Sequence, residues 1–132
     1  MSFEFNRDFE KRDEIIFGEY DEDAYGMGGT RDFDYMSLET LARLLALKFI
    51  DPEDKQNDCP TVKEIFEFMA KYPEYTAHGY AVAPKRNDYR VSLHGVEKDT
   101  CIEDADELED FMELFKHADD FEVSNTVYCW FD

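Results

Sequence analysis

Apolar and polar positions recur with two different periods along this chain, and the changes of period mark its elements. From Ser37, the run "SLETLARLLALKFIDP" places Leu38, Leu41, Leu45 and Phe49 on one helical stripe, which Leu44 and Leu47 widen. Only Glu39, Arg43 and Lys48 are charged before Asp51. Ser37 supplies an N-cap oxygen, and Asp51 with Pro52 supplies a stop, so a helix is expected here, the most buried of the fold. The following run, "PTVKEIFEFMAKYP", sets Thr61 and Glu64 at capping-box spacing and Val62, Ile65, Phe66 and Met69 on one face. Pro73 closes this second apolar helix.

The period then falls to two. Folding "YTAHGYAVAPKRNDYRVSLHGVE" at "KRND" predicts a β-hairpin with His78, Tyr80, Val82, Val91 and Leu93 on one face. Ala81, Ala83, Arg90, Ser92 and His94 fall on the other. Helical spacing returns in "DADELEDFMELFKHADDF", with Asp104 and Glu107 as a capping pair and Leu108, Phe111, Met112, Phe115 and Ala118 as the apolar stripe. The closing "FEVSNTVYCWFD" is β-branched and aromatic and reads as one final strand beside the hairpin. Residues 1–18 fit either period: "FEF" alternates, whereas Phe5, Phe9 and Ile16 share a helical face. The expected fold is a single α+β domain over residues 1–132. It combines two apolar helices, a β-hairpin, an acidic amphipathic helix and a C-terminal strand, with a small antiparallel sheet packed on the helices.

Charge changes the picture more than any motif does. A small soluble domain ordinarily carries a net charge of magnitude roughly 2 to 8, whereas this one carries -19. The sign argues against direct binding of nucleic acid or an anionic membrane and favours basic proteins or cations as partners. Twelve Phe and eight Tyr give the chain far more core material than a disordered acidic tail holds. The acids are concentrated at the two ends: residues 1–36 hold 11 acids against 4 bases, and residues 99–132 hold 12 against 1. Residues 77–98 hold 2 acids against 4 bases.

Two acidic stretches are therefore the candidate sites. Glu103, Asp104, Asp106, Glu107, Glu109, Asp110 and Glu113 follow one another on the third helix with no Lys or Arg before Lys116. Seven charges over ten helical steps, about 15 Å, give one per ~2 Å, close to the ~1.7 Å of duplex DNA. That density suggests a docking surface for a basic protein, including one that ordinarily binds nucleic acid. The second stretch is "YDEDAYGMGGTRDFDY", expected as a flexible loop whose Tyr25 and Asp32 assist the same partner. Asp21, Asp23 and Asp32 also fall at positions 1, 3 and 12 of a calcium-loop template, but Tyr25 stands where an oxygen ligand is wanted and Asp32 is short for a bidentate contact. "GMGG" lacks phosphate-loop spacing, and its acidic neighbours would repel an anion.

The remaining chemistry is sparse. Cys59, Cys101 and Cys129 show no CxxC spacing and read as reduced, mostly buried thiols. No signal peptide or membrane-length apolar run is evident, so a cytoplasmic location is expected. His78 and His94 are expected on opposite faces of the hairpin, with no shared metal, and no nucleophile motif appears. The basic "KRND" tip reads as a polar turn or a counter-charge to the acidic ends. Three readings follow. The leading one is a non-enzymatic acidic interaction protein that binds or inhibits a basic protein, as a DNA mimic would, through Glu103, Asp106, Glu107, Glu109, Asp110 and Glu113 with Tyr25 and Asp32. The second is a divalent-cation module on Asp21, Asp23 and Asp32, and the third an enzyme with an unrecognised site. No cofactor is expected.

Overall fold

A computed structural model describes residues 3–132. The domain expected over 1–132 and the unassigned start at 1–18 both include residues 1 and 2, which lie outside the described residues. In chain order the elements are α1 (Phe9–Phe17), β1 (Thr30–Met36), α2 (Leu38–Ala46), α3 (Val62–Lys71), β2 (Thr76–Val82), β3 (Val91–Lys98), α4 (Ala105–Phe115), β4 (Asp120–Val123) and β5 (Val127–Trp130). The strands form one antiparallel sheet in the order β1-β2-β3-β5-β4 and pack with the helices into an α+β fold. No helix among the described residues is long and apolar enough to cross a membrane.

The expected caps are present. Ser37 accepts from the Thr40 amide, and Thr61 and Glu64 make both halves of a capping box. α2 nevertheless ends at Ala46 and fully buries only Leu41 and Leu44, whereas α3 buries Val62, Ile65, Phe68 and Met69. α3 is thus the more deeply seated helix. Phe68 is buried at the α3–α4 seam, and Phe66 packs half-buried against the core. On α4, Phe111 and Phe115 are buried but Leu108 is 42% exposed, beyond the edge of that seam.

Three elements differ from the sequence reading. Residues 9–17 form a helix, capped by Asp8 at the start and by left-handed Gly18 at the end. Its buried residues are Arg12 and Asp13, while Phe9, Ile15, Ile16 and Phe17 are only half-buried, so apolar periodicity could not find it. The stretch expected as a flexible loop ends in an edge strand, β1, whose Phe33 and Met36 enter the core. Tyr35 adopts a left-handed backbone (φ 55) where the β1 register shifts, which leaves Asp34 and Tyr35 both exposed. The C-terminal stretch is a hairpin of two strands, turned at Ser124–Thr126, rather than one.

The central hairpin carries a bulge. Near its loop Ala81 pairs with Val91 and Gly79 with Leu93, so these residues face the helices while Tyr80 and Ser92 face away. That is one residue off the expected register, and a one-residue slip exchanges the faces of a strand. The expected register holds only beyond His94, the extra residue of β3, where His78 pairs with Gly95 and Ala77 with Val96.

Candidate functional site

α3 and α4 meet over an aromatic seam. Phe68 of α3 stands edge-on to Phe115 at 5.1 Å and to Tyr75 at 4.8 Å, and Tyr75 stacks on Phe111 at 6.2 Å. These contacts fix the two helices against each other and leave a groove of about 520 Å³ between them. Phe68, Tyr72 and Leu114 provide its apolar surface; Glu64, Glu67, Asp110 and Glu113 provide its acids, and Lys71 its one cation. A smaller cavity of about 190 Å³ continues past Lys71 and Tyr72 towards Glu74, Glu103 and Asp104.

The acids of α4 are not equivalent. Glu107 is 3% exposed and accepts from the Lys98 ammonium (2.8 Å), the Tyr75 hydroxyl (2.8 Å) and the Glu103 amide (3.2 Å). Burial pushes its carboxyl up, but those donors outweigh burial and hold it below the ordinary carboxylate range. Its own amide donates to the Asp104 cap at 2.8 Å. Glu107, expected among the partner contacts, is thus an internal anchor in this structure: the period of α4 aims it at the β3 lysine.

Asp110 is intermediate. Its Oδ2 accepts from Lys71 Nζ at 2.7 Å and Tyr72 Oη at 2.6 Å, and these bonds hold its carboxyl below the usual range. Glu103, Asp106, Glu109 and Glu113 are exposed. Taking Glu107 and Asp110 out of the seven leaves five acids over about 15 Å, one per ~3 Å, roughly half the linear density of duplex DNA.

The other expected residues lie elsewhere. Tyr25 is half-buried, and its hydroxyl donates to Asp13 and accepts from Arg12 Nη2 at 2.7 Å, while Arg12 Nη1 reaches the Val82 carbonyl at 3.0 Å. Tyr25 thus pins its loop to the Val82 end of β2, whereas Glu107 is tied to Tyr75 at the other end. Seven strand steps, about 23 Å, separate those anchors. Asp32 lies within β1 opposite Tyr80. Neither residue lines the α3–α4 groove or the smaller cavity. Asp21 caps a short 3-10 turn by accepting from the Asp23 amide at 3.0 Å. Among the described residues no group of three or more His, Cys, Asp or Glu is placed to hold a metal ion, Asp21, Asp23 and Asp32 included. The basic tip acts as a counter-charge: Lys85 pairs with Glu22 at 2.9 Å, and Arg86 donates to the Gly28 carbonyl at 2.8 Å.

The sheet face away from the helices holds a pair that sequence reasoning placed on opposite sides. His78 and His94 meet Nδ1 to Nδ1 at 2.8 Å, and His78 stacks on Tyr128 at 5.2 Å. The bulge at His94 brings the rings together, and Gly79 and Gly95 permit it. A Cβ on Gly79 would overlap the Ser92 carbonyl, and one on Gly95 the Cys129 carbonyl and the His78 ring. A glycine beside each histidine was the available sequence signal, since strand glycines mark bulges and close approaches. Cys59 and Cys129 are buried thiols pushed up to about 12 by that burial, and Cys101 is exposed; all three are free.

Comparison with family models, curated proteins and solved structures finds no match to this chain.

Proposed function

We propose that the protein is a non-enzymatic acidic interaction module that docks a basic protein segment in the α3–α4 groove. One observation carries the reading: an apolar surface of Phe68, Tyr72 and Leu114 is flanked by Glu64, Glu67, Asp110 and Glu113. Such a groove suits a segment that presents an aliphatic side chain between Lys or Arg residues, burying the apolar part and leaving the cations against the acids. Exposed Glu103, Asp106 and Glu109 add to the field that steers a cationic partner towards α4. The reduced charge density along α4 favours a peptide-like segment over the site of a duplex-binding protein.

A labelled peptide of sequence Arg-Arg-Leu-Arg-Arg tests this. Its affinity for the protein is expected to fall as salt is raised, and to be lost in a Glu67→Lys, Glu113→Lys variant that keeps its melting temperature. Leu114→Gln, which leaves charge unchanged, is expected to weaken binding as well. Binding indifferent to both variants would contradict the groove.

A further inference from the structure

We propose that Lys71 is a placeholder on Asp110 for a partner arginine, so that the groove is filled by exchanging an internal ammonium for an incoming guanidinium. The inference rests on the docking reading above and adds the identity of the central contact. Lys71 and Tyr72 line both the larger groove and the smaller cavity beyond it, so a segment crossing from one to the other meets the Lys71–Asp110 pair. Lys71 is also the sole cation among the residues lining the larger groove.

The bonding of Asp110 points to arginine. Lys71 Nζ and Tyr72 Oη both reach Oδ2, at 2.7 and 2.6 Å, and Oδ1 makes no hydrogen bond to the described residues. The Lys71 ammonium, a compact charge without a planar fork of donors, reaches Oδ2 alone. A guanidinium presents two parallel N–H groups and bridges both oxygens of a carboxylate, so arginine gains a contact that Lys71 leaves unmade. The ring of Tyr72 lies beside the exchange point, with Lys71 Nζ 5.5 Å from its centroid, and a planar guanidinium stacks on such a ring better than an ammonium.

The existing pair is easy to displace. The Lys71 side chain is 64% exposed and that of Asp110 33%, so solvent screens the attraction and the long lysine side chain regains freedom on release. The groove keeps a mild internal cation when empty and offers a better-fitting site to an arginine than to a lysine.

The test measures dissociation constants of Arg-Arg-Leu-Arg-Arg and of its all-lysine counterpart for the full chain and four variants. These are Lys71→Ala, Asp110→Asn, the double variant, and Lys116→Ala, which removes an exposed cation outside both cavities. Lys71→Ala is expected to tighten the arginine peptide about 3- to 5-fold, and Lys116→Ala by less than about 2-fold. In the Asp110→Asn background, Lys71→Ala should do no more than Lys116→Ala, and the preference for arginine over lysine should vanish. Salt-sensitive binding in which Lys71→Ala and Lys116→Ala act alike would overturn the exchange while leaving the docking groove standing. Failure of both peptides to bind any form would overturn both.

Discussion

His78 and His94 face each other Nδ1 to Nδ1 at 2.8 Å, an arrangement that requires one of the two Nδ1 atoms to be an unprotonated acceptor. His78 Nε2 lies 2.9 Å from the Cys129 carbonyl, which can only accept, so Nε2 carries the proton of the neutral ring. The His78 Nδ1 lone pair then accepts from the N–H of His94. Protonating His78 would set two N–H groups against each other inside the sheet.

Stability should therefore depend on pH through this pair. Burial, followed by the neighbouring His94, pushes His78 down to about 4 from 6.5, and the carboxylate of Asp34 recovers only part of that shift. A lowered folded value means that the unfolded chain binds the proton more readily. The contribution is complete above about pH 6.5 and is lost as pH falls towards 4, up to ~3 kcal/mol for such a difference. Falling net charge acts in the opposite direction, so the informative quantity is the difference from His78→Gln. Chemical denaturation between pH 4 and 7 should show a steeper loss for the parent protein than for that variant, and parallel curves would count against the pair.

Glu107 should behave as a core residue despite its place in an acidic run. Lys98→Met leaves Glu107 buried without its cation and is expected to cost ~3 to 5 kcal/mol in urea denaturation. Glu107→Gln leaves Lys98 the exposed Glu74 at 3.3 Å and is expected to cost somewhat less, ~2 to 4 kcal/mol. Replacing both with apolar residues should cost far less than the sum. A loss below ~1 kcal/mol from Glu107→Gln would return it to the surface set.

Gly79 and Gly28 offer a paired test of backbone packing. A Cβ on Gly79 meets the Ser92 backbone, which cannot yield without breaking the β2–β3 ladder, whereas one on Gly28 meets nothing within 4 Å. Gly79→Ala should destabilise by at least ~2 kcal/mol and Gly28→Ala by no more than ~0.5 kcal/mol. Similar melting temperatures for the two would contradict the close approach.

Tyr25→Phe probes whether the glycine-rich loop is tethered. It removes a hydroxyl that serves the buried Asp13 and Arg12, and a loss of ~1 to 3 kcal/mol is expected. Amide exchange in residues 20–29 should speed up in the same variant. Unchanged exchange would indicate that Tyr25 does not hold the loop.

Much of the fold was legible because its signals are local. Ser37, Thr61 and Asp104 announce their helices by caps, and strict alternation reveals β2 and β3. What escaped depends on contacts distant in sequence. α1 buries Arg12 and Asp13, which become acceptable inside only when Tyr25 and the Val82 carbonyl complete their hydrogen bonds. β1 is read as a loop because its acids belong to an exposed edge. The acidity of α4 was evident in the sequence, but not the division of labour within it: helical spacing places Glu107 on the buried face of Phe111 and Phe115, whereas its partners Lys98 and Tyr75 come from outside the helix and no spacing rule encodes them. The groove likewise needs two helices whose adjacency is set by Phe68, Phe111 and Phe115.

The central claim is that the position of the acids, rather than their number, makes the partner site. The most direct test compares two triple reversals of equal charge in binding Arg-Arg-Leu-Arg-Arg: Asp106, Glu109 and Glu113 to Lys on α4, against Glu10, Glu14 and Glu19 to Lys in and just beyond α1, all exposed positions. The α4 reversal should abolish binding, and the α1 reversal should weaken it only to the extent that added salt does. Equal loss from both would show that the net charge of -19 alone attracts the peptide and would contradict the site.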